Sequence, residues 1–229
     1  MRYVLIIISF LTAMQGLFPQ TENRKVDLGA SADAVSRYIW RGSELSDVPC
    51  VQPALNLGYG RFSAGFWGSV PISGATEADF LLTYAADFIS VSLIDYFVAG
   101  SDSLGSHHYF EWGKNSTGHD LSAEIAFPGT ENIPFRALVA ANFYGADTHN
   151  SRYYELAWMY QKDDFYGEVF VGGTDAAGWY GNDAGVVNAG FTLTRDIKIT
   201  TDFSLPIFSR VIVNPAKENI FVVFGLTIR

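Results

Sequence analysis

Apolar and polar residues alternate with a period of two along most of the chain after Lys25, in runs of roughly ten residues. In the last run, Ile220–Ile228, every even-numbered position carries a large apolar side chain, whereas the odd-numbered positions include Gly225 and Thr227. Successive side chains of a β-strand leave opposite faces of the sheet, so this pattern predicts β-strands. Tilted strands of about 9–11 residues cross a bilayer, and the repeated runs therefore predict a transmembrane antiparallel β-barrel.

Twelve strands are predicted, an even number as in bacterial outer-membrane barrels. Their ranges are roughly 28–41, 51–59, 62–71, 78–87, 89–98, 119–127, 134–144, 153–161, 165–173, 184–194, 197–207 and 219–228. Tight connections are expected at 60–61, 87–88, 128–133, 162–164 and 195–196, and longer ones at 42–50, 71–77, 99–118, 145–152, 174–183 and 209–218. Residues 107–114 could form another strand, but an odd count would put long connections at both ends. We therefore assign residues 107–118 to the third external loop, above short periplasmic turns.

The alternation also predicts which side chains face outward, and aromatic residues collect among them at the strand ends. The outward set is Leu28, Ala30, Ala32, Tyr38, Trp40, Leu55, Leu57, Tyr59, Phe80, Leu82, Tyr84, Leu121, Ala123, Ile125, Phe127, Tyr154, Leu156, Trp158 and Tyr160. Pairs such as Tyr59 and Phe62 beside a tight turn predict a periplasmic aromatic girdle, and Tyr38, Trp40, Phe143 and Tyr154 an outer one. A soluble secreted β-protein, the alternative, has no reason to sort aromatic side chains in this way.

The first residues predict a secretory signal peptide. Met1-Arg2 gives a positive start, an apolar run follows from Tyr3 to Leu11, and small residues come after it. The run is too short for a membrane-spanning helix, which needs about 20 apolar residues. We expect residues 1–20 to be the signal peptide and 21–229 a single barrel domain. The expected location is the outer membrane of a Gram-negative bacterium, with both termini in the periplasm.

Charge and cysteine content narrow the possible functions. The formal net charge is −9 and the sequence pI is about 4.8, which argues against nucleic acid as a partner because nucleic-acid binding needs a basic face. Cys50 is the single cysteine, so the chain cannot form an internal disulfide. We expect Cys50 to be a small apolar residue near a strand end.

Charged and amide side chains occupy the predicted inward face. The candidate lumen-lining residues are Asp33, Arg37, Arg41, Asn56, Asp79, Glu124, Arg136, Asn142, Glu155, Glu168, Lys198 and Asp202. An Arg or Lys facing lipid at midplane would cost about 2–4 kcal/mol, so these charges are expected inside. They could line an aqueous path with a weak preference for cations. Alternatively, the bases could pair with the acids and fill a narrow lumen.

The sequence gives little support to catalysis. A barrel hydrolase would need a serine with a histidine and an asparagine or aspartate on the outer face. The four histidines are His107, His108, His119 and His149, in or beside predicted external loops, and none lies in a nucleophile pattern. His107 and His108 with Glu111 could bind a metal, but adjacent histidines in a strand point to opposite faces. We therefore predict a non-enzymatic protein without metal or cofactor, since no phosphate loop or dinucleotide fingerprint occurs either.

Several segments resemble the TorF-like porin family of outer-membrane β-barrel proteins. The segment Ala32–Gly42 looks like the first-strand signature of that family, and Ser63–Ser69 is similar to its third-strand segment. Asp95-Tyr96, Asn142–Asp147 and the closing Phe221–Arg229 are also similar, so the resemblance covers essentially the whole mature chain. It implies an outer-membrane barrel with a porin function.

We therefore predict a barrel that passes ions or small polar solutes by passive diffusion. Outer-membrane lipid and the barrel-insertion machinery are the expected partners, and a protein partner is unknown. The alternative is a plugged barrel that acts structurally or binds a partner through aromatic, glycine-rich external loops such as Gly178–Gly181. Twelve strands fall between filled eight-stranded barrels and open sixteen-stranded porins, so strand count does not choose between them.

Overall fold

The computed structural model describes residues 26–99, 108–113 and 117–229. The predicted signal peptide, residues 1–20, lies outside the described residues, and so does His107. Within the described part of the chain, no helix is long and apolar enough to span a membrane.

Twelve antiparallel strands form a closed barrel, and two short strands form a separate hairpin. The barrel strands are β1 (Val26–Val35), β4 (Cys50–Tyr59), β5 (Phe62–Pro71), β6 (Thr76–Ala85), β7 (Ser90–Ala99), β8 (His119–Phe127), β9 (Phe135–Gly145), β10 (Arg152–Lys162), β11 (Phe165–Thr174), β12 (Gly185–Lys198), β13 (Ser204–Asn214) and β14 (Asn219–Ile228). The hairpin strands are β2 (Tyr38–Trp40) and β3 (Ser43–Ser46), and a 3₁₀ turn spans Pro215–Lys217. The prediction of an all-β, twelve-stranded antiparallel barrel is confirmed.

Each strand pairs with its neighbours in sequence, and β1 closes the barrel between β14 and β4. The β1–β4 ladder runs from Val26 opposite Tyr59 to Val35 opposite Cys50. The β1–β14 ladder is shorter and starts at Ala32 opposite Ile228. We call the end of the barrel where β1 begins and β14 finishes the terminus end, and the opposite end the loop end.

The outer face is apolar, as the alternation predicts. Large outward side chains such as Leu28, Leu57, Trp158 and Phe224 are exposed. Next to exposed residues, the alternate positions are buried inside the barrel, as Glu124 is beside Ile125 on β8 and Arg136 beside Phe135 on β9. Because the side-chain period of a strand is two, one sequence pattern creates an apolar exterior and a polar interior at once.

The first predicted strand, 28–41, is too long, and its second half leaves the barrel wall. Strand β1 ends at Val35, the chain bends at Ser36 and Arg37, and β2 and β3 then fold back on each other. Arg41 and Gly42 form the hairpin tip with φ of +48° and +79°, as a two-residue hairpin turn requires. The outward assignment of Tyr38 and Trp40 is therefore wrong. Tyr38 is buried, and its ring packs on that of Trp67 at 5.4 Å.

The predicted range of the next-to-last strand is also wrong. Strand β12 continues to Lys198, so the tight turn expected at 195–196 does not form. The turn lies at residues 199–203, where the Thr200 hydroxyl accepts hydrogen bonds from the amides of Asp202 and Phe203. The chain at 209–214, predicted to be loop, is the second half of β13.

This shift moves two predicted lumen residues out of the barrel interior. Lys198 lies exposed at the end of β12, and Asp202 lies exposed in the turn that follows. The alternation across 197–205 continues through a turn, and Thr200 stabilises that turn with its side chain. A period-two pattern in a short segment therefore does not by itself distinguish a turn from a strand.

Candidate functional site

The hairpin β2–β3 lies inside the barrel, and its tip rests against β12 and β13. The Asn214 side-chain amide donates a 2.9 Å hydrogen bond to the Gly42 carbonyl. A Cβ built on Gly42 would lie 1.9 Å from the carbonyl oxygen of Val187, so only glycine fits at this contact. The Lys217 ammonium also donates to the Ser43 hydroxyl at 3.3 Å. These contacts hold the hairpin within the loop-end half of the barrel.

Arg41 extends from the hairpin tip to the far wall. Strand β8 is the fifth strand from β1 in one direction around the barrel and the seventh in the other. The Arg41 guanidinium forms an ion pair with Glu124 of β8, and it donates to the Tyr180 hydroxyl at 2.7 Å. The exposed fraction of these side chains is 4% for Arg41 and 5% for Glu124. The hairpin is thereby joined to the opposite side of the barrel.

Aromatic rings enclose the Arg41 ion pair. The guanidinium carbon lies 4.8 Å from the ring centre of Trp40 and 4.7 Å from that of Tyr153. Trp40 packs edge-on against Tyr96 at 5.4 Å, and the Tyr96 hydroxyl donates to Glu124 at 2.9 Å. Tyr153 and Tyr180 are almost completely buried. A guanidinium between aromatic faces gains cation–π attraction, which partly offsets its loss of hydration.

A second buried charge cluster lies on β9, β10 and β11. The Arg136 guanidinium contacts Glu155 at 2.9 Å and Glu168 at 3.0 Å. The Tyr166 hydroxyl donates to Glu168 at 2.7 Å, and the Asn188 amide donates to Glu155 at 2.9 Å. The Asn188 amide also donates to the Tyr153 hydroxyl, so Tyr153 joins this cluster to the aromatic rings around Arg41.

A cavity of about 110 Å³ remains between the hairpin and the barrel wall. Its apolar lining residues include Phe170, Phe208, Ile212 and Val223. Its charged lining residues are Asp33, Arg37, Arg41, Glu124, Arg136, Glu155, Glu168 and Arg210. The cavity therefore offers both charged groups and an apolar wall to any molecule within it.

The structure brings together most of the predicted lumen residues but not all of them. Arg41, Glu124, Arg136, Glu155 and Glu168 form the two buried charge clusters. Asp33 and Arg37 line the cavity, and Arg37 pairs with Glu44 of the hairpin at 2.9 Å.

The remaining predicted residues lie away from the cavity. Asn56 is half-buried on β4, opposite Gly65. Asp79 is buried and accepts a hydrogen bond from the Phe97 amide at 3.2 Å. The Asn142 amide donates to Asp147 of the β9–β10 loop at 3.0 Å. Lys198 and Asp202 lie at the terminus end, outside the interior.

Sequence reasoning missed Arg210, which faces the cavity from β13. Residue 210 was expected in a loop because the preceding strand was placed too early. The alternation of Ile207, Ser209, Val211 and Val213 with Phe208, Arg210 and Ile212 is the signal that could have located it. Ser209 and the apolar Phe208 and Ile212 weaken the contrast between the two faces, so the pattern is easy to overlook.

Asp95 and His119 lie together on the outer face near the loop end. His119 Nδ1 is 2.9 Å from the Asp95 carboxylate, and Nε2 is 2.6 Å from the Tyr109 carbonyl oxygen. Trp112 stacks on the imidazole with ring centres 3.7 Å apart. Residues 109–112 thus cover two ionisable groups that would otherwise face outward. No group of three potential metal-ligating side chains occurs among residues 26–99, 108–113 and 117–229.

No protein-family model matches the chain, and no curated protein matches it either. The resemblance to TorF-like porins therefore stays a prediction.

Proposed function

We propose that this protein is an outer-membrane β-barrel that passes ions or small polar solutes by diffusion, and that the β2–β3 hairpin closes the path. The observation that carries the proposal is the arrangement of charges around one interior cavity under an apolar exterior. The proposed function includes no chemical step, cofactor or nucleic acid.

The apolar outer face supports the membrane location. A soluble protein of this size would leave exposed side chains such as Leu28, Leu55 and Phe224 in contact with water. In a bilayer the same surface contacts lipid, and a closed barrel satisfies its backbone hydrogen bonds without open edges. The resemblance to TorF-like porins supports the same location. We propose that residues 1–20 direct export, that the barrel-insertion machinery assembles the domain, and that the terminus end faces the periplasm.

The charged interior supports a path for polar solutes. Asp33, Arg210 and the Arg136 cluster face the cavity between the hairpin and the wall. The hairpin crosses the interior above them and is held by Arg41, so the path opens only when the hairpin moves. Breaking the Arg41–Glu124 pair is costly, because a buried charge would then lose its opposite charge. We therefore expect the wild-type channel to open rarely.

A plugged barrel is the second candidate function, and the burial of Arg41 favours it. If the hairpin never leaves, the barrel would act as a structural support for its external loops, which would bind a partner. Tyr180, in the loop 179–181 at the loop end, accepts a hydrogen bond from Arg41, so this loop is directly connected to the hairpin.

Planar-bilayer conductance of the detergent-folded mature protein tests the two candidates. Only material whose gel mobility changes on heating, the sign of a closed barrel, is used. We expect rare steps for the wild type and frequent, larger steps for Arg41→Ala, because this change removes the attachment of the hairpin to β8.

Arg195→Ala is the control, since it removes an exposed arginine that pairs with Asp164 at the terminus end and does not line the cavity. It should behave as the wild type does. If folded Arg41→Ala stays as silent as the wild type, the diffusion path is wrong and the plugged barrel is favoured. Extraction of the protein from cells without detergent would contradict the membrane location itself.

A further inference from the structure

We propose that the interior cavity binds a small zwitterionic solute with an apolar side chain, of the amino-acid class. Arg210 would hold the carboxylate, Asp33 the ammonium group, and the phenylalanine wall the apolar part. The binding site itself goes beyond the proposed function. That solutes of this class pass through the channel rests on that function.

Arg210 is the cation of the cavity that forms no ion pair among the described residues, although Glu168, Glu155 and Asp33 act on it from a distance. Its Nε donates to the Thr192 hydroxyl at 3.1 Å, and its guanidinium lies 6.0 Å from the Phe208 ring centre. No ion pair joins it to an acid in the parts of the chain that the structure describes. A guanidinium presents paired N–H groups that fit the two oxygens of a carboxylate. Arg210 thus has a free carboxylate-binding edge.

Asp33 is the acid of the cavity that, like Arg210, forms no ion pair among the described residues. One of its oxygens accepts a 2.6 Å hydrogen bond from the Thr227 hydroxyl, and no base forms an ion pair with it among the described residues. Asp33 and Arg210 act on each other electrostatically, but they do not approach within the 4.0 Å of an ion pair. An acid and a base that face one cavity without touching can be bridged by a ligand that carries both opposite charges.

The remaining charges of the cavity already lie in ion pairs. Arg41 pairs with Glu124, Arg136 pairs with Glu155 and Glu168, and Arg37 pairs with Glu44. Glu155 and Glu168 share a single arginine, which leaves one excess negative charge that also acts on Arg210, so a further negative charge nearby is unfavourable. An anion without an ammonium group would therefore be held less well than a zwitterion, whose net charge is zero.

The size and the wall of the cavity limit the ligand. Its volume of about 110 Å³ is several times the roughly 10–15 Å³ that one water molecule needs. Phe170, Phe208 and Val223 line it beside Arg210. Apolar atoms of a ligand placed there would be removed from water, which favours a hydrophobic side chain over a polar one.

Binding is tested by calorimetry on the detergent-folded protein with three matched probes. The probes are leucine, 4-methylpentanoate, which lacks the amino group, and 3-methylbutylamine, which lacks the carboxylate. We expect leucine to bind at least about tenfold more tightly than either, because each analogue leaves one charged group of the protein unpaired.

The variants Arg210→Gln and Asp33→Asn separate the two ends of the ligand. Each should weaken leucine binding about tenfold or more. Arg210→Gln should remove the disadvantage of the amine relative to leucine, and Asp33→Asn that of the carboxylate. Arg210→Lys keeps the charge but not the paired donors, and it should restore part of the affinity. Arg195→Gln, which removes an exposed arginine paired with Asp164 at the terminus end, should bind leucine as the wild type does.

Three results would overturn the proposal. Equal binding of leucine and 4-methylpentanoate, unaffected by Asp33→Asn, would leave a simple anion site at Arg210. Leucine binding that survives both substitutions would place the ligand elsewhere, and the absence of leucine binding to folded wild type would exclude the site. Conductance is measured on the same preparations, so a barrel that binds leucine but stays silent contradicts the diffusion path without contradicting the site.

Discussion

Arg41 and Glu124 are separated by 83 positions in the chain, and they form an ion pair inside the barrel. One belongs to a hairpin that has left the wall, and the other to a strand on the far side. This pair decides how much of the interior is open, because the hairpin and its aromatic neighbours fill the space between them.

Replacing Arg41 by methionine should destabilise the barrel markedly. Glu124 would be left buried with the Tyr96 hydroxyl as its remaining partner. Loss of one member of a buried ion pair costs about 3–5 kcal/mol, and we expect a decrease of this size in the free energy of unfolding. The measurement is urea unfolding followed by heat-modifiable gel mobility.

Two further variants make this expectation specific to the buried pair. Arg37→Met removes a half-exposed pair and should cost about 0–1 kcal/mol. The double variant Arg41→Met with Glu124→Gln leaves no unpaired charge, so it should be more stable than Arg41→Met alone. A double variant that is less stable than the single one would contradict the assignment of the cost to the unpaired Glu124.

Gly42→Ala should displace the hairpin tip. The new Cβ would meet the Val187 carbonyl oxygen at 1.9 Å, and the residue would also keep an unfavourable positive φ of +79°. We expect higher conductance and faster hydrogen exchange in residues 38–46. Gly60→Ala separates the two effects, because Gly60 has a φ of +61° but no atom within 4 Å of its Cβ position. If both variants give the same change, backbone strain rather than the contact with β12 is responsible.

Residues 109–112, which cover His119, should be held in place by the two polar contacts of the imidazole with Asp95 and Tyr109. Asp95→Asn weakens the hold on Nδ1, and His119→Phe removes both contacts but keeps a ring beneath Trp112. We expect hydrogen exchange in residues 108–113 to become faster in both variants. Exchange as slow as in the wild type in His119→Phe would mean that ring packing alone holds the cover.

The β9–β10 loop should lose stability in acid through Asp147. Although burial acts in the other direction, hydrogen bonds from Ser151, His149 and Asn142 keep the pKa of Asp147 below its usual value. A carboxyl with a lowered pKa in the folded state stabilises the loop above the unfolded pKa of about 3.9. That stability is lost as the pH falls below this value and through the folded pKa.

Hydrogen exchange of residues 146–151 as a function of pH measures this effect. In Asp147→Asn we expect faster exchange at neutral pH and no further loss of loop protection below pH ~4. Asp183→Asn, which removes an exposed carboxylate from another loop, controls for the change in net charge. A loop in Asp147→Asn that still loses protection in acid would assign the acid sensitivity to another group.

Local rules predicted the barrel but not its interior. The strands β4, β5 and β8 occur within one residue of the predicted ranges, because each has a clear alternation and ends at a turn. In the stretch from Arg37 to Arg41, apolar Tyr38 and Trp40 alternate with the two arginines and only Ile39 interrupts the pattern, but the stretch folds inward. The turn at Arg41 and Gly42 requires a positive φ at Arg41, a residue other than glycine, and the local sequence pattern does not predict this turn.

The sequence by itself determined the fold class, the number of barrel strands and, on strands with a clear alternation such as β8 and β9, the side that carries charge. These follow from the period of two, which acts through neighbouring residues only. The tertiary structure decided that the hairpin enters the barrel, that Arg41 meets Glu124, and that Arg210 and Asp33 face one cavity without pairing. Such relationships join residues that are far apart in the chain, and they depend on strand register and closure, which no local pattern contains.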